Sequence, residues 1–242
     1  MQGDISRKII IALDFPSVEE ALDVVQVLKD FKPFLKIGMQ LFYLSGPSLV
    51  YQLKEQGFPI FLDLKLHDIP NTVKGAAQSL ARLGVDLLTV HCAGGRNMME
   101  AALEGIEQGL TGGAVAPQVI GVTQLTSTSQ KVMNEELKIA GSMEACILHY
   151  ARLAEESGLH GVVCSPLEVE LIKKQIGQDF LVVTPGIRPR SAKHDDQVRV
   201  TTPREAIRLG ADYLVIGRAI TKAANPLQAY QDILEEVKGA IG

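Results

Sequence analysis

Short apolar runs alternate along the chain with longer stretches whose apolar positions recur every three or four residues. The runs at 8–14, 34–38, 60–65, 87–91, 118–123, 161–165, 180–184 and 213–217 have the length and composition of buried strands. The stretches at 17–30, 46–56, 71–83, 98–108, 143–157, 167–176, 203–209 and 226–238 carry the period of helices packed on one face. Ser17 followed by Glu20 predicts a capping box, and Gly57, Gly84 and Gly158 stand where helices should end. Strands and helices that alternate eightfold predict an α/β fold, a single (β/α)8 TIM barrel occupying 1–242 as one catalytic domain. A doubly wound sheet is the rival, but no G-x-G-x-x-G joins a first strand to a first helix. The connections at 124–142 and 186–202 are long enough to serve as lids or to be plain surface loops.

Strand alternation sorts the side chains into two faces. Ile9, Ile11, Leu13, Leu35, Ile37, Leu62 and Leu64 fall on the outward, helix-facing side. Ile10, Ala12, Asp14, Phe34, Lys36, Gly38, Phe61, Asp63 and Lys65 fall inward, and Leu87, Thr89 and His91 share one face of the fourth run. The inward faces turn charged toward the C-terminal end of each strand. Asp14, Lys36, Asp63 and Lys65 should therefore converge at the mouth, where barrel enzymes do their chemistry. A structural ion-pair ring would use the same residue types; four charges at the catalytic end favour chemistry. Asp68 lies three residues past Lys65, where a solvated turn or a helix N-cap before Pro70 is also open to it. His91 reads as a polar packing residue rather than a base, and His67 as loop surface.

Composition narrows the class. The chain has 242 residues, 46% of them hydrophobic and 21% charged, as in an ordinary globular enzyme. A net charge of −4 speaks against nucleic-acid binding. Cys92, Cys146 and Cys164 are scattered, as reduced thiols of a cytoplasmic protein would be. No signal peptide or membrane-length apolar run is visible, and H-E-x-x-H is absent, so no metal and no membrane partner are expected. The eighth run ends in Gly217-Arg218 and the seventh in Gly186-Ile187-Arg188. Glycine lets backbone N–H groups approach an anion, arginine supplies a forked cation, and barrel phosphate sites form after these two strands. A small phosphorylated substrate is expected.

Together these segments closely resemble the orotidine 5′-phosphate decarboxylase family of bacterial type. The matching segments are I-A-L-D at 11–14, L-K-I-G at 35–38, F-L-D-L-K-L-H-D-I-P-N-T at 61–72 and V-H at 90–91. V-T-Q-L-T-S at 122–127, T-P-G-I-R at 184–188, D-Q at 196–197 and G-R at 217–218 complete the set in the family's order. The resemblance implies a (β/α)8 homodimer that works without metal or organic cofactor. Its reaction yields uridine 5′-phosphate and carbon dioxide in pyrimidine synthesis. It further implies that Lys65 donates the proton to C6 of the pyrimidine and that Asp63 sits beside the substrate carboxylate. Lys36 completes the charge array, with Asp68 entering from the partner subunit. By the same resemblance, Asp14 and Lys36 reach the ribose, Thr126 bonds the pyrimidine, and Gln197 links base and phosphate. Arg188, Gly217 and Arg218 would hold the phosphate.

Two other readings use the same barrel. One is a magnesium-dependent sugar-phosphate decarboxylase or aldol-type synthase, which shares the D-x-K-x-x-D strand; Lys36, Thr126 and Gln197 suit a pyrimidine better. The other is a catalytically silent nucleotide-binding barrel, against which the intact set of charges argues.

Overall fold

The computed structural model describes residues 5–189 and 201–241. Its strands are β1 (Ile9–Ala12), β2 (Phe34–Gly38), β3 (Ile60–Leu66), β4 (Leu87–His91), β5 (Gln118–Val122), β6 (Gly161–Val163), β7 (Leu181–Thr184) and β8 (Tyr213–Ile216). All neighbours are parallel, and β8 pairs with β1 to close the barrel, as expected of the (β/α)8 fold. The helices are α1 (Val18–Leu28), α2 (Met39–Ser45), α3 (Pro47–Glu55), α4 (Pro70–Ala81), α5 (Arg96–Gly109), α6 (Met143–Glu156), α7 (Val169–Gln175), α8 (Pro203–Arg208), α9 (Arg218–Thr221) and α10 (Pro226–Ile241). None of the described helices is long and apolar enough to cross a membrane.

The two faces read from the strands are the two layers of the core. Ile10, Ala12, Phe34, Phe61, Leu87 and Val215 fill the barrel interior. Ile9, Ile11, Leu35, Ile37, Leu62 and Leu64 pack outward against the helices. At the N-terminal end of the barrel, two carboxylates clasp successive elements. Asp86 accepts the Ile60 N–H at 2.7 Å and the Lys54 ammonium at 2.6 Å. Asp212 accepts the Val182 N–H and the Lys173 ammonium, both at 2.7 Å. These bonds satisfy strand-end donors with charged acceptors, so this end is structural.

Local differences from the expected elements have physical causes. The helix expected at 46–56 is preceded by α2, and Gly46, at φ 59°, turns the chain between them. In α2, Tyr43 and Leu44 are exposed, so its apolar positions make no one-sided stripe. The Ser17 hydroxyl accepts the Glu20 N–H at 3.2 Å, but the Glu20 carboxylate returns to that hydroxyl, so the box is half made. A full capping box occurs instead at Thr202 and Glu205, ahead of α8. Gly57, Gly84 and Gly158 do adopt positive φ after their helices. The connection 124–142 carries a π-helical turn (Val132–Glu136), buries Met133, and is tied by Gln130 and Asn134 to the Gly141 carbonyl. The base of the second long connection closes through a bridge between Ile187 and Thr201; 190–200 lie outside the described residues.

Candidate active site

The three strand ends β1 to β3 bring four charges into a chain of contacts. Lys36 Nζ donates to Asp14 Oδ1 at 3.0 Å and stands 3.6 Å from Asp63 Oδ2. Lys65 Nζ donates to Asp63 Oδ1 at 2.8 Å. Asp14 sits two residues past the end of β1, with its side chain 61% exposed, while the Lys36 and Asp63 side chains are 10% and 12% exposed. Gly38 leaves this approach uncrowded: a Cβ there would stand 3.1 Å from Lys36 Nζ and 3.3 Å from Asp14 Oδ1, so both side-chain ends would have to shift slightly.

Cation and anion alternate along the cluster, which is how charges survive out of water. Burial alone would raise the Asp63 carboxyl. Lys36, Lys65 and the hydrogen bonds from Lys65 and Thr89 outweigh it and hold the group below the ordinary carboxylate range. Asp63 is therefore a fixed anion at neutral pH, with an ammonium on either side.

Lys65 occupies a special backbone position. The β3–β4 ladder pairs Leu62 with Leu88 and next Leu66 with Val90, so four steps on β3 answer two on β4. Inside this bulge Lys65 takes φ 51°, a left-handed conformation that costs a side-chain-bearing residue about 1–2 kcal/mol. Its N–H donates to Thr89 Oγ1 at 2.8 Å.

Asp14, Lys36, Asp63, Lys65, Thr126, Arg188, Gly217 and Arg218 line one cavity of about 320 Å³, the size of a small-ligand site. The charged cluster is at one wall. Arg188 and the Gly217-Arg218 pair belong to the β7 and β8 ends, and Thr126 comes from the loop after β5. Apolar side chains from the barrel interior, including Phe61, Val163 and Val215, form the floor. Asp68 is not among the lining residues. It is exposed, and its carboxylate accepts the Ile69 N–H at 2.6 Å; the N-cap of α4 is Ile69, not Asp68. Gln197 lies outside the described residues.

Several neighbours were not singled out from the sequence. Gln124, Ser127 and Cys164 also line the cavity. Burial and then Glu168 push the Cys164 thiol well above its usual range, so it stays protonated and is a poor nucleophile. Thr89, wholly buried, reaches both Asp63 and Lys65; its place on the inward face with Leu87 was the available signal. His91 stacks on His67, with ring centroids 5.1 Å apart, and accepts the Ala93 N–H at its Nδ1. Cys92, Cys146 and Cys164 are free and buried.

Comparison with known proteins adds to this geometry. A family model for the orotidine 5′-phosphate decarboxylase / HUMPS family matches residues 7–233. An orotidine 5′-phosphate decarboxylase from Geobacillus sp. (strain WCH70) is 57% identical over 230 residues, covering 95% of this chain and 96% of its own. That of Geobacillus thermodenitrificans (strain NG80-2) is 56% identical over 233 residues, covering 95% and 96%. The crystal structure of orotidine 5′-phosphate decarboxylase from Lactobacillus acidophilus superposes with a TM-score of 0.86 at 41% identity, covering 96% of this chain and 99% of that one.

Proposed function

The chain belongs to the orotidine 5′-phosphate decarboxylase / HUMPS family, and on that premise we propose that it converts orotidine 5′-phosphate to uridine 5′-phosphate and carbon dioxide. The observation that carries this reading is the Asp63 carboxylate held between the Lys36 and Lys65 ammonium groups at the wall of a cavity that Arg188 and Arg218 also line.

The reaction breaks the bond from C6 of the pyrimidine to its carboxylate. The electron pair stays on C6, an sp² carbon with no conjugated sink, and carbon dioxide leaves. A fixed ammonium beside C6 stabilises the developing charge in a site shielded from water, and this is the part assigned to Lys65. Lys65 then passes a proton to C6, and the product is neutral at that carbon. Asp63 orients Lys65 through their 2.8 Å contact and faces the departing carboxylate. Lys36 neutralises the remaining face of Asp63 and, with Asp14, is placed to meet the ribose hydroxyls.

At the β7 and β8 ends, Arg188, Arg218 and the side-chain-free Gly217 suit a phosphate monoester. Phosphate binding is remote from the reacting bond, so its binding energy can organise the site for the transition state. Thr126, half-buried in the cavity wall, is assigned to the pyrimidine, and Gln197 to a link between base and phosphate.

Asp68 does not face its own cavity, which agrees with its serving a second copy. Exposed apolar side chains follow both β3 and β2: Ile69 comes next to Asp68 after β3, and Tyr43 and Leu44 lie in α2 after β2, the strand paired with β3. Side chains of this kind would suit an interface in a cytoplasmic homodimer.

The test is turnover. Protein stripped of metal with a chelator should deplete orotidine 5′-phosphate, read by its ultraviolet absorbance. Lys65→Ala should lower the rate by about 10²–10⁴-fold or more. Absence of turnover in the wild-type protein, or its dependence on added magnesium, would overturn the proposal.

A further inference from the structure

Thr89 touches the two central groups of the site from behind. It lies at 0% exposure on the inward face of β4 and is not among the residues lining the cavity. Its Oγ1 accepts the Lys65 N–H at 2.8 Å and donates to Asp63 Oδ1 at 3.0 Å. One hydroxyl thus serves once as acceptor and once as donor, and its single proton is committed to Asp63.

The first of these bonds falls where the sheet cannot supply it. The bulge in β3 interrupts its pairing with β4 between Leu62 and Leu66, and the Lys65 N–H lies within that gap. Thr89 stands in for the missing ladder acceptor. On its other side, Asp63 Oδ1 receives Thr89 and the Lys65 ammonium together. The hydroxyl therefore ties the main chain at the root of Lys65 to the carboxylate that meets its tip. Lys65 has four side-chain torsions, and this bracket fixes the frame on which its ammonium is held.

We propose that Thr89 is a positioning residue for the decarboxylation, setting the distance between the Lys65 ammonium, the Asp63 carboxylate and the reacting carbon without touching the substrate. The proposal rests on the decarboxylase reading for its kinetic consequence, and on geometry alone for its effect on Asp63.

The test compares Thr89→Val, which keeps the shape and removes the hydroxyl, with Thr89→Ser, which keeps the hydroxyl. Thr89→Val should lower kcat by about tenfold or more while KM moves less than about threefold, because positioning acts on the transition state rather than on binding. Thr89→Ser should stay within about threefold of wild type. Should the valine variant not fold, Thr89→Cys, which like Thr89→Ser lacks the γ-methyl but carries only a weakly hydrogen-bonding thiol, is compared with Thr89→Ser instead. A second readout needs no substrate: a carbon-13 NMR titration of the Asp63 carboxyl, assigned with Asp63→Asn. Lys36 from β2 and Lys65 from β3 face Asp63 with charge, and Asp14 shares Lys36 with it. These stay in place in both variants, so loss of the Thr89 donor should move the titration of Asp63 upward in Thr89→Val and leave it in Thr89→Ser. A wild-type kcat in Thr89→Val, an equal fall in Thr89→Ser, or an unmoved Asp63 titration overturns the proposal. If the wild-type protein does not turn over orotidine 5′-phosphate, the functional reading fails by itself, and the Asp63 titration alone judges Thr89.

Discussion

Asp63 keeps its charge where burial opposes it, because Lys36, Lys65 and Thr89 all favour the anion. Its folded pKa is depressed, so its contribution to stability is present above the unfolded value near pH ~4 and is lost as pH falls through the folded value. His91 behaves in the opposite sense. Burial, then His67 and Lys65, hold its imidazole below the usual histidine range. As pH falls below about 6.5 the unfolded chain takes up this proton first, so His91 lowers stability until it protonates in the folded state as well. His91→Asn retains an oxygen that can accept the Ala93 N–H and loses the titration. Its Tm should fall less than that of wild type between about pH 7.5 and 5, and parallel Tm–pH curves would refute the assignment. At the β8 end, Arg218→Ala should cost phosphate-bearing substrate about ten- to a hundredfold in kcat/KM. The phosphate-free nucleoside should be affected much less; equal losses on both substrates would remove Arg218 from the phosphate.

At the scale of elements, α4 and α5 meet through glycine. A Cβ on Gly105 would stand 2.2 Å from the Lys74 carbonyl oxygen, and one on Gly109 would stand 2.3 Å from that of Gln78. Both obstacles are backbone, which cannot rotate away, and the Lys74–Glu104 ion pair spans the same contact. Glycine to alanine in a helix ordinarily stabilises by about 1 kcal/mol. Here the helices must separate, and overpacking of this kind costs about 1–3 kcal/mol. Gly105→Ala should therefore lower the urea midpoint; a raised midpoint would mean the helices pack less closely than described. The β3 bulge is the other element-scale device. A regular strand would carry Lys65 on as one more alternating residue. The bulge turns its main chain left-handed and leaves an N–H for a side chain to take.

For the molecule as a whole, the open question is where Asp68 acts. In one chain it is exposed and bonded to its neighbour's N–H, outside the cavity lining. If each subunit of a symmetric dimer lends Asp68 to the other, Asp68→Ala and Lys65→Ala should complement. A mixed dimer would have one site with both defects and one with neither. Random one-to-one mixing makes half the dimers mixed, each with one intact site of two, so activity should rise from near zero toward about a quarter of wild type. Zero activity from two folded mutants that demonstrably exchange subunits would assign Asp68 to its own chain.

The barrel was legible because its signals are local and periodic. Alternation at 9–13, 34–38 and 60–65 separated an apolar outer face from an inner face that ends in charge, and that pattern survives any detail of packing. Asp14, Lys36, Asp63 and Lys65 could be assigned to one mouth for the same reason, since parallel strands must end on the same side. What the periodicity could not carry were interactions between residues distant in sequence. Thr89 is 26 positions from Asp63 and 24 from Lys65, and an inward threonine looks like any other packed polar residue until the bulge opposite is known. The left-handed turn at Lys65 was equally hidden, because lysine has no preference for it and only the ladder on either side enforces it. Helix α2 escaped for a different reason: its exposed Tyr43 and Leu44 break the one-sided pattern from which helices are read. Which residues are charged, and on which face, was determined by the sequence alone. How closely Lys36, Asp63 and Lys65 approach was decided by tertiary structure, because that spacing depends on the register between strands and on Gly38 leaving room.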